Sequence, residues 1–272
     1  MNLPNICFIG GGNMARSIIG GLIARGSAAQ NITVCDPQQA TLAGLQVDFG
    51  VAVSQNNAAA VAVADVVVLA VKPQVMASVC RDLAPRISPG VLVISIAAGI
   101  NCTSLAEWLG TRTAIVRCMP NTPALVGEGA SGLYASTGVT AAQKHQAEAI
   151  MAAVGTVAWV ESEHLMDAVT AVSGSGPAYF FLAMEAMIDA GINQGLTPET
   201  ARILTLQTAL GAARLAQQSP DEVGELRRRV TSPGGTTEQA ILSFENNELR
   251  RIYAEAMQAC ADRARAMADE FI

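Results

Sequence analysis

Histidine is almost missing from this 272-residue chain: His145 and His164 are the only two, both in polar surroundings. A histidine-based metal site or catalytic triad is therefore poorly supplied, and no metal is expected. Lysine occurs only at Lys72 and Lys144. The net charge is −6, and the one basic run is Arg227-Arg228-Arg229, which reads as a solvated helix face. A nucleic-acid surface is not expected from such a balance. The six cysteines form no CxxC pair and sit mostly in apolar runs, where a reduced thiol serves as a small hydrophobe. No apolar run reaches the roughly 18–20 residues that span a bilayer. The start, MNLPNICFIGGGN, lacks the basic-then-apolar order of a signal peptide. These absences predict a soluble protein of a reducing compartment, hence cytoplasmic, with neither membrane nor nucleic acid as partner. Against 15% charged residues stand 51% hydrophobic ones, enough apolar surface for one large or two ordinary domains.

The two halves have different rhythms. Short, continuously apolar runs at 6–10, 32–36, 65–71, 90–98 and 114–120 alternate with helical patterns. Continuous rather than alternating hydrophobicity is what a parallel strand shows when helices cover both faces of its sheet. The fold class predicted is α/β, a doubly wound Rossmann-like sheet. Pieces at 131–136 and 156–161 extend the sheet around a helix near 141–153. Past 161 the β rhythm stops, and helices are expected at 163–172, 177–195, 198–218, 221–229, 235–245 and 248–270. The division expected is a dinucleotide-binding domain over 1–161 and an all-helical domain over 162–272.

The first strand runs through Ile9 into Gly10-Gly11-Gly12-Asn13-Met14-Ala15, a GxGxxA at a strand-to-helix turn. Gly10 permits the turn, Gly12 lets backbone approach a pyrophosphate, and Ala15 lets helix and strand pack closely. The helix start then faces the phosphates with unpaired amides. Asp36 closes the second strand about 20 residues on, where a ribose-binding carboxylate belongs. It is also a candidate N-cap for the helix after Pro37, and the two roles are compatible. A carboxylate there favours the 2′-hydroxyl of NAD(H) over the 2′-phosphate of NADP(H), and no Arg or Lys follows in Pro37-Gln38-Gln39. Ala70-Val71-Lys72-Pro73 ends the third strand at the ligand crevice, which makes Lys72 a crevice cation or a solvated strand-end lysine. Ala97 and Ala98 are small enough for close passage of a nicotinamide ribose, and Asn121 offers an amide to orient the ring.

In the helical half, Val230-Thr231-Ser232-Pro233-Gly234-Gly235-Thr236-Thr237 breaks a helix and starts another. It is either a turn capped by Thr236 or Thr237, or a loop and helix start that holds a small anion. Ser173-Gly174-Ser175-Gly176-Pro177 is a second break, read as a kink. Together with GGGNMA, AVKP, SIAAG and MPNTP, in this order over essentially the whole chain, these segments resemble pyrroline-5-carboxylate reductases. The resemblance implies reduction of the ring imine of 1-pyrroline-5-carboxylate to L-proline by NADP(H) or NAD(H), the last step of proline biosynthesis. It implies a substrate carboxylate held at Val230, Ser232, Gly234, Gly235, Thr236 and Thr237, with amides of Gly235, Thr236 and Thr237 as donors. By the same resemblance the Thr237 hydroxyl is expected near the ring nitrogen, as the catalytic group. Ser173 and Ser175 adjoin nicotinamide and substrate; Asn57, in the loop before the third strand, contacts the adenosine, and Glu163 is carried over more weakly. A homodimer, or a larger ring of dimers, is implied as well. Apolar residues spread around helices 177–195 and 198–218 agree, since a helix apolar on most sides is a buried one. Many reductases of this family prefer NADPH, and Asp36 departs from their phosphate-holding pattern. A 3-hydroxyacid dehydrogenase would want a lysine after the domain junction, and this chain has none there.

Overall fold

The computed structural model describes residues 4–270. Contacts divide the chain into two compact units, one running to Ser175 and resuming at Ala259, the other spanning Gly176–Gln258. The boundary expected at 161/162 thus differs from the contact division by one short helix and the end of the last one.

The first unit is built on one eight-stranded sheet in the order β3-β2-β1-β4-β5-β6-β7-β8. The strands are β1 (Ile6–Ile9), β2 (Ile32–Cys35), β3 (Ala52–Ser54), β4 (Val66–Leu69), β5 (Leu92–Ser95), β6 (Ala114–Met119), β7 (Gly129–Ala135) and β8 (Gly155–Trp159). All neighbours pair parallel except β6 and β7, which run antiparallel with Val116 opposite Ala135. The chain order reverses between β1 and β4, and a sheet of this kind takes its ligand at that switch point, beyond the carboxyl ends of the strands.

The apolar strand runs have a direct cause. Within β1, Ile6 and Phe8 join a core on one face with Ile18, Ile19, Leu22, Val34 and Val68. Cys7 and Ile9 join a separate core on the other face with Val67, Leu69, Met76, Leu105 and Ile115. Helices α1 (Asn13–Ala24) and α6 (Ala141–Met151) cover the first face, and α4 (Pro73–Leu83) and α5 (Cys102–Leu109) cover the second. Every residue of β1, β4 and β5 is therefore buried whichever way it points. At about 25 cal/mol per Å² of apolar area, this two-faced burial is the main stabilising term of the unit. All six cysteines are free thiols, and burial pushes the Cys80 thiol up to about 12.

Two features escaped the pattern. Edge strand β3 has only three residues, Ala52 exposed and Val53 and Ser54 half-buried. After α2 (Gln39–Phe49), and directly following β3, Asn57 opens the short helix α3 (Asn57–Val61), not a loop, because the Asn56 side chain caps it by accepting from the Ala59 N–H at 3.0 Å.

The helices that follow are α7 (Leu165–Val169), α8 (Gly176–Asn193), α9 (Pro198–Gln218), α10 (Val223–Arg229), α11 (Thr236–Asn246) and α12 (Leu249–Glu270). Of the second unit's residues, only Gly176, Ala201 and Thr205 are buried. Phe180 and Leu182 are each 66% exposed, and Phe181, Met187, Ile203, Leu204 and Leu210 also face outward. Among the described residues no helix is long and apolar enough to cross a membrane.

Candidate active site

The glycine loop is held by the ends of β2 and β4. Gly10 has φ +102°, its N–H donates to the Cys35 carbonyl at 2.8 Å, and the Ala70 N–H donates to the Ile9 carbonyl at 2.8 Å. A Cβ on Gly10 would lie 2.6 Å from the Ala70 carbonyl oxygen, so this glycine is required by the fold itself. Gly11 is enclosed as well: a Cβ there would meet Thr41 at 2.8 Å and Leu45 at 2.9 Å. Gly12 differs. It caps α1 with extended backbone (φ −67°, ψ −179°) and no side-chain cap, and a Cβ added to it would meet nothing within 4 Å. Asn13 and Met14 follow as the first turn, whose amides have no intrahelical partner. Open space beside a Cβ-less residue at a helix's positive end is the shape a pyrophosphate fits.

Asp36 is tied to this loop. One carboxylate oxygen accepts from the Gly11 N–H at 2.9 Å and the other from the Gln38 N–H at 2.8 Å. It is not the N-cap of α2, a position held by Gln38. The cap expectation is corrected: the carboxylate shapes the turn before the helix and braces the glycine loop from the β2 end. Val71 is half-buried and Lys72 exposed, where Lys72 caps α4 ahead of Pro73. Ala97 is buried and Ala98 half-buried at the end of β5.

Asn121 is engaged within the protein itself. Its amide nitrogen donates to the Ser173 carbonyl at 3.0 Å, and its oxygen accepts from the Ala130 N–H at 2.9 Å. This buried carboxamide joins the end of β6 to the start of β7 and to the segment after α7. There the helix widens into one π turn, Thr170–Gly174, closed by the Ser175 N–H donating to the Thr170 carbonyl at 2.8 Å. The predicted kink is this turn. Gly174 lies flat on Met119, whose Cε would be 2.5 Å from an added Cβ. Likewise a Cβ on Gly132 would stand 2.3 Å from Val169. The Ser173 hydroxyl donates to the Val169 carbonyl at 3.0 Å, and the Cys260 thiol donates to the Ser175 hydroxyl at 3.2 Å.

Glu163 lies ahead of α7 and accepts from the buried Arg117 guanidinium at 3.1 Å and from the Cys102 N–H at 2.7 Å. Burial, with the Glu163 carboxylate second, raises the Cys102 thiol well above its ordinary range. Arg117 and Cys260 were missed in the sequence. Arg117 sits in an apolar strand as a lone charge, and its need for a partner was the available signal.

In the second unit, Val230 ends α10, and Ser232 to Gly235 form the turn before α11. Gly234 has φ +73° and donates its N–H to the Glu238 carboxylate at 2.7 Å. Gly235 donates its N–H to the Ser232 carbonyl at 3.0 Å and is itself the N-cap, with no side-chain cap bond. Two expectations change as a result. Neither Thr236 nor Thr237 caps the helix, since both are inside it, and the Gly235 amide is spent within the turn. The outward donors are the exposed Thr236 and Thr237, which open α11 where its amides lack intrahelical partners. Among the described residues no group of three or more His, Cys, Asp or Glu gathers as metal ligands would.

A model described as NADP oxidoreductase, coenzyme F420-dependent matches residues 5–99, and one for pyrroline-5-carboxylate reductase dimerisation matches 163–267. A Pseudomonas aeruginosa pyrroline-5-carboxylate reductase is 56% identical, covering 99% of both chains. The chain belongs to the pyrroline-5-carboxylate reductase family. Its members are NAD(P)-dependent oxidoreductases, which supports binding of a nicotinamide cofactor. A Coxiella burnetii pyrroline-5-carboxylate reductase structure superposes with a TM-score of 0.95 at 48% identity, covering 98% of this chain and 99% of that one. A Plasmodium falciparum pyrroline carboxylate reductase with NADP bound does so at 0.87 and 31% identity, over 98% and 99%. The family's dimerisation region accounts for the outward-facing apolar residues of α8 and α9.

Proposed function

We propose that this protein reduces 1-pyrroline-5-carboxylate to L-proline in the cytoplasm, as a homodimer or a ring of dimers. The observation that carries this is the Ser232–Thr237 loop: two adjacent hydroxyl residues, Thr236 and Thr237, open a helix at its amide-rich end, behind a left-handed Gly234 with open space beside it. The dinucleotide fits the first unit because Gly12 leaves space that any side chain would fill. Ile9, Gly10, Gly11, Gly12, Asn13 and Met14 would hold the pyrophosphate. Asp36 and Asn57 would meet the adenosine, and Ala70, Val71, Lys72, Pro73, Ala97, Ala98 and Asn121 would surround the remainder.

When bound, the nicotinamide supplies a hydride to the carbon of the ring C=N bond. Amides of Thr236 and Thr237 hold the substrate carboxylate and so fix which ring carbon is presented. The Thr237 hydroxyl hydrogen-bonds the ring nitrogen, which keeps its proton as it takes the electron pair of the reduced bond. Ser173 and Ser175 line the reacting ring, carried on a π turn that Asn121 clasps. No nucleophile is called for, in keeping with the shortage of histidine and lysine.

Asp36 favours NADH: its negative charge repels a 2′-phosphate, and Pro37-Gln38-Gln39 supplies no cation to offset it. The direct test is oxidation of NADH and NADPH followed at equal concentrations with the cyclic imine. Turnover of the imine with neither cofactor would sink the proposal.

A further inference from the structure

The loop proposed to hold the substrate carboxylate already touches a carboxylate of its own. The Gly234 N–H donates to Glu238 at 2.7 Å, while Gly235 is turned inward to Ser232 at 3.0 Å. Helical bonding resumes with the Gln239 N–H reaching the Gly235 carbonyl at 3.3 Å. A short strip of donors at one helix start is thus shared: Gly234 serves the half-buried Glu238, and Thr236 and Thr237 face outward. Glu238 is the third residue of α11, where an acidic group interacts favourably with the helix's positive end.

We infer that Glu238 sets how tightly this site holds a carboxylate, and does so by weakening it. This rests on the substrate reading of the loop given above. An anion arriving at Thr236 and Thr237 meets a helix terminus whose positive potential is already partly neutralised, with a fixed like charge one residue away. Imine and L-proline both carry that carboxylate, so both are held less firmly than the bare helix end would hold them. Product departs sooner as a consequence. The Gly234–Glu238 bond also keeps Gly234 in its left-handed conformation, so shape and charge must be separated by experiment.

Glu238→Gln keeps an acceptor oxygen for the Gly234 N–H and removes the charge. Binding of L-proline and of L-prolinamide, which lacks the carboxylate, is measured by calorimetry on enzyme saturated with oxidised cofactor. L-Proline should bind Glu238→Gln about three- to tenfold tighter, the size of one partly exposed charge–charge interaction. L-Prolinamide and the cofactor itself should bind as in wild type. Glu238→Ala should also tighten proline binding, while Glu238→Asp, which keeps the charge, should not. Unchanged or weaker proline binding in both neutral variants overturns the inference, as does an equal gain for prolinamide. If wild type does not bind proline at all, it is the substrate reading of the loop that falls, and Glu238 with it.

Discussion

Gly12→Ala separates a glycine kept for the fold from one kept for a ligand. The Gly12 backbone lies at φ −67° and ψ −179°, which alanine adopts without strain, and the added methyl meets nothing within 4 Å. Lower entropy of the unfolded chain stabilises the variant by about 0.4–1 kcal/mol, and a poorer N-cap residue costs a comparable amount. The melting temperature should therefore stay within a few degrees of wild type. Cofactor binding should not survive so well. The methyl would occupy the space that the proposed pyrophosphate site leaves in front of the first-turn amides. Losing one hydrogen bond to a charged group costs about 1.5–3 kcal/mol, which is roughly ten- to a hundredfold in Kd. Gly10→Ala is the mirror image. Its φ of +102° strains any L-residue, and its Cβ would stand 2.6 Å from the Ala70 carbonyl oxygen. Strain of about 1–2 kcal/mol plus overpacking of about 1–3 kcal/mol should lower the melting temperature by many degrees. Thermal unfolding by circular dichroism and dinucleotide titration by fluorescence read the two effects independently. If Gly12→Ala binds NADH and NADPH within about twofold of wild type, the open space beside Gly12 is not where the pyrophosphate lies.

Asp36→Ser should raise the ratio of kcat/KM for NADPH over that for NADH by about tenfold, one charge–charge interaction near a protein surface; an unchanged ratio would leave Asp36 only its bonds to Gly11 and Gln38. Thr237→Val keeps shape and branching but deletes the hydroxyl, so kcat/KM for the imine should fall about ten- to a hundredfold. Thr237→Ser should recover much of that loss, and cofactor affinity without substrate should not move; equal reaction of the valine variant would show that the amides act alone. Phe181→Asp places a charge among the outward apolar residues of α8, and sedimentation should show it dissociating where wild type stays dimeric; a folded, active wild-type monomer at low concentration would contradict the assembly.

The strands were legible because two-sided burial writes itself as unbroken hydrophobicity: β1, β4 and β5 each feed both cores by alternate residues. β3 was not, since Ala52-Val53-Ser54 is a half-exposed edge carrying no such run. The spacing from Gly10 to Asp36 located the carboxylate correctly beside the loop, but not that both its oxygens are engaged. Those bonds depend on where β2 ends relative to β1, a register that periodicity does not carry. Asn121 shows the same limit over 52 residues of chain, because its partner Ser173 is brought to it only by the fold. Around α11 the composition announced a turn and a helix start. Which amides face out depends on the left-handed Gly234 and on the reach of Glu238, and neither is a matter of composition.

The segment carrying Ser173 and Ser175 is set down on the sheet by what is missing from two residues. Met119 fills the volume a side chain at 174 would need, and Val169 fills the volume a side chain at 132 would need. Each pair therefore shares a single allotment of space, and growth at the glycine takes room from its neighbour: easily from Met119, only by substitution from Val169. A side chain at 174 can be met by a swing of the flexible Met119 end, whereas one at 132 demands a smaller residue at 169, where the branched Val169 cannot swing aside. Over evolutionary drift a larger residue at 132 should appear only beside a smaller one at 169, while position 174 is held less strictly.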